Sequence, residues 1–431
     1  MVEYKFKYGD NTLIGSINKE NIIYNLLPKK SKIIVDIKKE IEYILNNPIN
    51  SRSLKEIVKK DEKIVIIVSD ITRAWINTNK FLIHIINYLT ELGIKDEDIE
   101  IIIALGGHRK STQKEKITIV GNEVYNRINV YDHECEDNNE LVYIGDTSRK
   151  TPIFINKRVH EADRIILTGG IVFHSFAGFG GGAKAILPGV VGMETIQANH
   201  RLNFNLGDVG GVNLNASPNI IKDNPVREDM IEACKMVGVD FLINAVLDSN
   251  EKFIKFVSGD FVDAWIEGCN FTRNFYGKYI KEEADIIIAS SGGYPKDINL
   301  YQGTKASENA FYGGKDDSVL ILICKCEEGL GADEFADWFK YKSLEEIEIA
   351  LKTNFTVPGY VAYKVAYTSK YRKFILISEL EDELVKSFGM IPCHNLSEAI
   401  TIAYDICNVE KPKVMLMPYA GNTLPILLQD K

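Results

Sequence analysis

The sequence contains no long apolar run. Its longest strings of apolar residues, such as IVIIV at 64–68 and IIIAL at 101–105, have only the length of a β-strand, whereas a membrane-spanning helix needs about 18 residues. The amino terminus, MVEYKFKYGDN, is polar and lacks the apolar core of a secretory signal. We therefore expect no association with a membrane and a cytoplasmic location.

Basic residues are too few for a nucleic-acid partner. The chain has 51 Lys and Arg against 60 Asp and Glu, a net charge of -9, so the phosphates of a nucleic acid would be repelled. Small anionic substrates remain compatible with a few well-placed cations. Repeats and low-complexity tracts are also missing, which excludes solenoids and propellers.

The cysteines do not form a disulfide pattern. They number seven, an odd count, and are scattered along the chain, which argues against a disulfide framework. The one close pair, Cys324 and Cys326 in ILICKCEEG, has no partner pair elsewhere. Two strand-end or core thiols are favoured over a zinc or redox site.

Short β-branched runs alternate with longer amphipathic stretches, which is typical of βαβ units. This pattern predicts an α/β fold with two lobes, each a mostly parallel sheet flanked by helices, and an active site in the cleft between them. The predicted strands are Lys63–Val68, Ile99–Ala104, Arg164–Thr168, Phe241–Val246, Ala284–Ala289, Val319–Cys324, Lys373–Ser378 and Lys413–Met417, and the clearest helices are Lys80–Leu92, Pro225–Met236 and Leu396–Cys407. Asn224 before Pro225 is the pattern of an N-cap followed by a first-turn proline.

A fresh strand and glycine turn after YIKEEAD predict a boundary near residue 280. We expect an N-terminal domain of residues 1–280, completed by residues 412–431. A C-terminal domain of residues 281–411 would close the cleft.

Four predicted strands are followed at once by polar, glycine-bearing turns: SDITR at 69–73, GGHR at 106–109, GGIVFH at 169–174 and SGGYPKD at 291–297. Ligands bind beyond the carboxyl ends of strands in open parallel sheets, so these turns can line a single cleft. Any one of them is also explained as an ordinary tight turn. The presence of Arg73, His108 and His174 at their tips favours a site, because neutral imidazole serves as a metal ligand or a proton acceptor near pH 7.

The segment FAGFGGGAKA surrounds Lys184 with small residues, which would let the backbone approach an anionic ligand with amides directed at phosphate. The GK[ST] ending of a Walker loop and the acidic residue of a dinucleotide site are both absent. The glycines alone are weak evidence; Lys184 at their end and His200 in ANH, sixteen residues on, strengthen them.

With these motifs in order, the chain resembles the lactate racemase family, which consists of racemases and epimerases of 2-hydroxy acids. The family patterns SDxTRP, HR, HFFAGFSGGRK, ANH and GGYPxDxNxYQ are matched by SDITR, GGHR, HSFAGFGGGAK, ANH and GGYPKDINLYQ. The resemblance implies a nickel-pincer nucleotide, pyridinium-3,5-bisthiocarboxylic acid mononucleotide, as cofactor. It also implies cofactor-synthesis and nickel-insertion enzymes as partners, and a small anionic 2-hydroxy acid as substrate.

The resemblance further implies a role for each matched residue. Lys184 would carry the cofactor covalently, His200 would bind nickel, and His108 and His174 would be alternating acid and base catalysts. The other implied residues are Arg73, Gln302 and Lys305 around the substrate, and Asp70, Thr72, Phe176, Gly180, Gly181 and Gly182 around the cofactor. Two bases are needed because the two enantiomers present their hydroxyls in different directions once the carboxylate is clamped.

Some positions depart from the family pattern. Ala74-Trp75-Ile76 replaces a proline-rich continuation, Ala183 replaces a basic residue, Tyr360 replaces a tryptophan and Lys296 an apolar residue. These changes suggest a substrate larger than lactate. The alternatives are a phosphate- or nucleotide-binding transferase that works without nickel, and a non-catalytic homologue that keeps the cofactor.

Overall fold

A computed structural model of the chain describes residues 1–30, 32–331 and 333–428. The strands are β1 (Val2–Tyr8), β2 (Asn11–Ile17), β3 (Ile22–Asn25), β4 (Ile64–Ser69), β5 (Ile99–Ala104), β6 (Asn129–Asp132), β7 (Leu141–Asp146), β8 (Pro152–Asn156), β9 (Arg164–Gly170), β10 (Phe173–His174), β11 (Gly178–Phe179), β12 (Phe241–Leu247), β13 (Phe253–Gly259), β14 (Gly277–Ile280), β15 (Ala284–Ser290), β16 (Gly314–Ile323), β17 (Lys373–Ile377), β18 (Ile391–Cys393), β19 (Val414–Met417) and β20 (Leu424–Leu427).

The helices are α1 (Ile37–Asn46), α2 (Leu54–Ile57), α3 (Asn79–Glu91), α4 (Gln113–Val120), α5 (Asn122–Arg127), α6 (Lys157–His160), α7 (Met193–Arg201), α8 (Pro225–Val237), α9 (Asp263–Tyr276), α10 (Leu300–Phe311), α11 (Asp333–Asp337), α12 (Leu344–Thr353), α13 (Val357–Tyr371), α14 (Asp382–Ser387) and α15 (Leu396–Cys407). Among these helices, none combines the length and the apolar character needed to cross a bilayer.

The chain divides into two compact units. The central unit comprises Lys30–Phe204 and Val212–Arg273, and the terminal unit comprises Met1–Lys29, Asn205–Gly211 and Asn274–Lys431. Each contains a six-stranded sheet and its own apolar core. The predicted α/β class is confirmed.

The sheet of the central unit has the strand order β13-β12-β9-β4-β5-β6. Only β13 runs antiparallel to its neighbour. Strands β4 and β5 are buried along most of their length, which explains their runs of isoleucine and valine. Full burial of each such side chain contributes roughly 1.5–3 kcal/mol.

The sheet of the terminal unit has the order β18-β17-β16-β15-β19-β3, with all neighbours parallel. Alternate residues of its strands enter two separate cores. One core includes residues of α10 and α13, and the other includes Phe6 and Ile17 of the β1–β2 hairpin together with residues of α15.

The eight predicted strands and three predicted helices are all present, and most of their ends lie within two residues of the prediction. The largest difference is at β16, which begins at Gly314 rather than Val319. Helix α8 begins as predicted, with the Asn224 side chain accepting a hydrogen bond from the Arg227 amide.

The expectation that residues 1–29 and 412–431 belong with the first domain is wrong. Strand β3 pairs with β19, β19 pairs with β15, and β14 pairs with β20, so both ends of the chain complete the terminal unit. Residues 429–431 lie outside the described part. Such pairings join segments that are far apart in the sequence and have no local sequence signature.

Asn224 provides a test of the local structure. Its side chain is fully buried and also donates hydrogen bonds to the carbonyls of Phe176 and Ile220. Asn224→Ala should lower the free energy of unfolding by about 2–3 kcal/mol, because it removes a helix cap and leaves buried carbonyls without a donor. The measurement is urea denaturation.

The control is Asn395→Ala, which removes the exposed N-cap of α15. It should cost only about 1 kcal/mol. Equal losses in the two variants would contradict the importance of the buried donors.

Candidate active site

The turn after β4 is organised by Asp70, which is only 2% exposed. Its Oδ1 accepts hydrogen bonds from Thr72 Oγ1 at 2.8 Å and Arg73 Nη1 at 3.1 Å, and its Oδ2 lies 2.7 Å from Nδ1 of His108. Burial acts to raise the pKa of Asp70, but the hydrogen bond with His108 and the charge of Arg73 outweigh it and lower the pKa. Asp70 is therefore ionised at neutral pH and orients both neighbours.

His108 follows β5, beside β4 in the sheet. Because an ionised carboxylate only accepts hydrogen bonds, Nδ1 of His108 donates to Asp70 and Nε2 keeps its lone pair. The side chain is 43% exposed. It can accept a proton from a small molecule.

His174 is hydrogen-bonded in the opposite sense. The backbone amides of Ala177 and Phe176 donate to its Nδ1 at 3.3 and 3.5 Å, so the proton of the neutral ring lies on Nε2. Burial and the charges of Lys184, Arg227 and Arg73 hold the pKa of His174 well below its usual value. The ring is therefore neutral at pH 7.

Phe176 lies among three predicted site residues. Its ring meets the His174 ring edge-on at 4.7 Å and the His200 ring at 5.2 Å, and Lys184 Nζ lies 5.7 Å from its centre. His200, in the last turn of α7, is buried, and burial followed by the charge of Lys184 lowers its pKa to about 3. These four residues form a second cluster beside Asp70, Arg73 and His108.

Lys184 occupies a short helical turn, Gly182–Ala185. Burial, the charge of Arg73 and then that of Arg227 hold its pKa well below the usual value for lysine. The charges acting on this amine are thus of its own sign. Such an environment favours the neutral, nucleophilic amine and attracts an anionic ligand.

The glycines before Lys184 serve packing rather than phosphate binding through their amides. The amide of Gly180 donates to Val172 O and that of Gly182 to Asn244 Oδ1, both at 2.8 Å. The interpretation that these two amides point at phosphate is therefore wrong. A Cβ at Gly182, which has a positive φ of 60°, would lie 2.7 Å from Trp265.

Arg227 was missed by sequence reasoning. It is fully buried in α8, and its guanidinium donates to the carbonyls of Ala177 and Phe179 and lies 4.3 Å from the Trp265 ring centre. Burial lowers its pKa only to about 10, so it stays charged at neutral pH. Its sequence signal is an arginine in register with Met230 and Cys234 on the apolar stripe of the helix.

Gln302 and Lys305 lie on α10 of the terminal unit, one turn apart. Lys305 Nζ donates to Gln302 Oε1 at 2.6 Å, and the N-cap Asn299 accepts from the amide of Gln302. The turn 291–297 follows β15 in this unit. Three of the four predicted turns therefore share one sheet edge, and the fourth belongs to the other sheet.

Within the described ranges, no three His, Cys, Asp or Glu side chains are grouped as a metal site. Cys324 and Cys326, whose sulfurs lie 3.4 Å apart, are buried at the end of β16. Both are therefore thiols at the end of a strand.

The fold and this cluster of buried ionisable side chains define an α/β protein with a candidate active site beyond the carboxyl ends of its strands. Comparison with known proteins makes the assignment specific. The lactate racemase N-terminal domain matches residues 8–208, and the lactate racemase C-terminal domain matches residues 280–421.

Two lactate racemases are each 30% identical to the chain. The protein of Thermoanaerobacterium thermosaccharolyticum aligns over 97% of this chain and 98% of its own length, and that of Lactiplantibacillus plantarum over 94% and 95%. The structure of the Thermoanaerobacterium apoprotein matches with a TM-score of 0.88 at 29% identity, over 99% of this chain and all of that one. A Thermotoga maritima structure, with a TM-score of 0.65 at 18% identity over 93% of this chain and all of its own, shares the fold.

The chain belongs to the lactate racemase family. Its relatives support an enzyme of the racemase class, and thus an isomerase.

A buried histidine behind the site predicts how stability depends on pH. His133 donates from Nε2 to Val191 O, and burial lowers its pKa to about 4. The unfolded chain binds a proton on His133 more readily than the folded chain does. The contribution of neutral His133 to the free energy of unfolding is therefore complete above about pH 6.5. It is lost as pH falls towards 4, which lowers the free energy of unfolding by about 3 kcal/mol. Urea denaturation between pH 4 and 8 measures it.

The variant His133→Gln should show a shallower loss of stability over this pH range than the wild type. His160→Gln, at an exposed position, is the control and should keep the wild-type slope. A wild-type slope in His133→Gln would contradict the assignment.

Proposed function

We propose that the chain is a racemase or epimerase that inverts C2 of a 2-hydroxy acid, using a nickel-pincer nucleotide attached to Lys184. The observation that carries the proposal is the opposite hydrogen bonding of His108 and His174. One imidazole accepts a proton through Nε2, while the other presents an Nε2–H group. Inversion needs two such groups, one for each position of the substrate hydroxyl.

The residues present fit this cofactor. Arg73 and Arg227 act on Lys184 with positive charge, which favours a ligand with phosphate and thiocarboxylate groups. Lys184 would hold it covalently, and Phe176 and His200 would lie beside its ring and metal. His200 is held neutral, as a metal ligand must be. When bound, the group supplies a hydride acceptor, which turns the substrate reversibly into a planar 2-keto acid.

His108 acts as the base for one enantiomer. Its Nε2 takes the hydroxyl proton, and Asp70 stabilises the imidazolium through Nδ1. Arg73, held through Nη1 by Asp70 and Thr72, binds the substrate carboxylate.

His174 serves the other enantiomer. In the present state its Nε2–H group can only donate a hydrogen bond to the substrate oxygen. A second proton on Nδ1 would face the amide of Ala177, so the ring must leave that contact to act as acid or base. An anion beside Lys184 would offset the positive charges that disfavour the imidazolium.

Gln302 and Lys305 are proposed to bind substrate from α10. The substrate is proposed to be larger than lactate, because residues near both substrate motifs differ from the family pattern. Among the residues that differ, Lys296 donates to Asn422 Oδ1 at 2.9 Å and Tyr360 is buried. The segment around Trp75 is therefore the better candidate for selecting between substrates.

The cofactor assignment predicts a covalent adduct. Chain purified from cells that make the nucleotide should show an intact-mass increase on Lys184 and should contain nickel. Lys184→Ala should abolish the adduct, while His108→Ala should keep adduct and nickel but lose roughly 10²–10⁴-fold in turnover. Wild-type chain without an adduct from such cells would rule the proposal out.

Asp70→Asn tests the orientation of His108. The amide can still accept from Thr72 and Arg73 but would turn a donor towards Nδ1 of His108, placing the proton on Nε2 and removing the acceptor. We expect kcat to fall roughly 10²-fold or more with adduct and nickel unchanged. Thr72→Val, which leaves the contact with His108 intact, should lose less than about tenfold; similar losses in both variants would contradict this role.

Substrate size is tested with a panel of 2-hydroxy acids. The nickel-loaded chain should racemise an acid with a longer or more polar tail with a higher kcat/KM than lactate, and Trp75→Ala should change the ranking. Lactate as the best substrate would contradict the proposed preference while leaving the proposed chemistry intact.

A further inference from the structure

We propose that the first two turns of α8 position the cofactor site, with Arg227 as the positioning residue for Lys184 and Asp229 as the positioning residue for His200. The inference rests on the proposed function, since it assigns supports to the attachment lysine and the metal ligand. Neither residue belongs to the motifs that identify the family. Both are fully buried in the core of the central unit.

Arg227 binds the loop that leads into Lys184. Its Nε donates to Ala177 O at 2.9 Å, Nη2 donates to Phe179 O, and Nη1 reaches Gly181 O at 3.5 Å. Trp265, on which the guanidinium stacks, donates from Nε1 to Gly180 O at 2.9 Å. The carbonyls of this loop are thus bound by side chains of α8 and α9.

No lysine could replace this arrangement, because three carbonyls spread over five residues require the planar fork of a guanidinium. The same guanidinium places a fixed positive charge beneath the loop. Arg227 therefore fixes the path of the backbone at Lys184 and also adds to the attraction of the site for an anion.

Asp229 binds the end of the helix that carries His200. Its carboxylate accepts hydrogen bonds from Thr147 Oγ1 at 2.5 Å, Thr151 Oγ1 at 2.8 Å and Asn199 Nδ2 at 2.9 Å. Asn199 Nδ2 also lies 3.1 Å from Val226 O in the first turn of α8. Since Asn199 immediately precedes His200, these bonds fix the last turn of α7 against α8.

The N-cap of α8 completes the support, because Asn224 Nδ2 donates to the carbonyl of Phe176 at 2.9 Å. The N-terminal end of α8 therefore holds Phe176, which lies between His174 and His200. It also holds the loop that leads into Lys184 and the helix that carries His200. Replacement of a residue that orients a metal ligand without touching the metal commonly changes metal affinity about 10–100-fold. A distinct defect is expected for each of the two contacts.

The experiment compares Arg227→Lys and Asp229→Asn with the wild type, all made in cells that supply the cofactor. Intact mass gives the fraction of chain with the Lys184 adduct, and metal analysis after treatment with a chelator gives retained nickel. We expect Arg227→Lys to lower the adduct fraction about tenfold, and Asp229→Asn to keep the adduct but lose nickel about tenfold faster. Arg149→Lys, at a surface ion pair with Glu228 of the same helix, should match the wild type.

Hydrogen exchange on the cofactor-free chains provides an independent readout. Arg227→Lys should speed exchange of the amides at Gly180 and Gly182 selectively, and Asp229→Asn those at the end of α7. Exchange that rises uniformly along the central unit, or adduct and nickel lost together in step with melting temperature, would overturn the assignment. Adduct and nickel retained in both variants would also overturn it, whereas wild-type chain lacking both would refute the proposed function instead.

Discussion

The positive charge collected around Lys184 constrains the chemistry of the whole site. Arg73 and Arg227 both act on this lysine, and the carboxylate of Asp70 is shared by Arg73 and His108. A buried charge without a partner costs several kcal/mol, so groups that can lose a proton do so. The pKa values of Lys184, His174 and His200 are accordingly all lowered, and the two imidazoles are neutral at pH 7. A neutral amine can be acylated and a neutral imidazole can bind metal, so one electrostatic condition prepares separate parts of the proposed reaction.

The same positive charge couples ligand binding to the protonation of His174. Burial and then the charges of Lys184, Arg227 and Arg73 lower the pKa of His174, and an anion placed beside Lys184 and Arg73 would offset part of this charge. His108, by contrast, is hydrogen-bonded through Nδ1 to the carboxylate of Asp70. In the proposed mechanism, Asp70 supports one base and bound ligands would support the other, so the full proton relay would need the loaded enzyme.

The sequence correctly predicts those secondary-structure elements that are determined by neighbouring residues. Strand β5 and helix α15 have the predicted ends, and the N-cap at Asn224 is correct, because periodicity and capping are properties of neighbouring residues. The membership of β3 in the terminal sheet is not local, since its partner β19 lies nearly the whole chain away. The role of Arg227 could not be predicted from the sequence for a similar reason. Its partners are backbone carbonyls of residues 177–181, which carry no side-chain signature. The hydrogen bond of His108 likewise depends on Asp70 in a different turn, whereas the amides that bond His174 belong to residues two and three positions further along the chain.

Strand order places His108 and His174 after strands on opposite sides of β4, an arrangement that suits the proposed inversion. From β4 the chain builds the sheet outward through β5 to β6, and then returns to the other side of β4 to build β9, β12 and β13. Such a reversal opens a crevice beyond the carboxyl ends of the strands that flank it. His108 follows β5 and His174 follows β9, so they enter from opposite sides of β4, whose own turn supplies Asp70 and Arg73. A carboxylate bound by Arg73 would then lie between two proton-transfer groups on opposite sides. In the proposed reaction, the capacity to treat both enantiomers would follow from topology, and α8 would hold the proposed cofactor residues beside it.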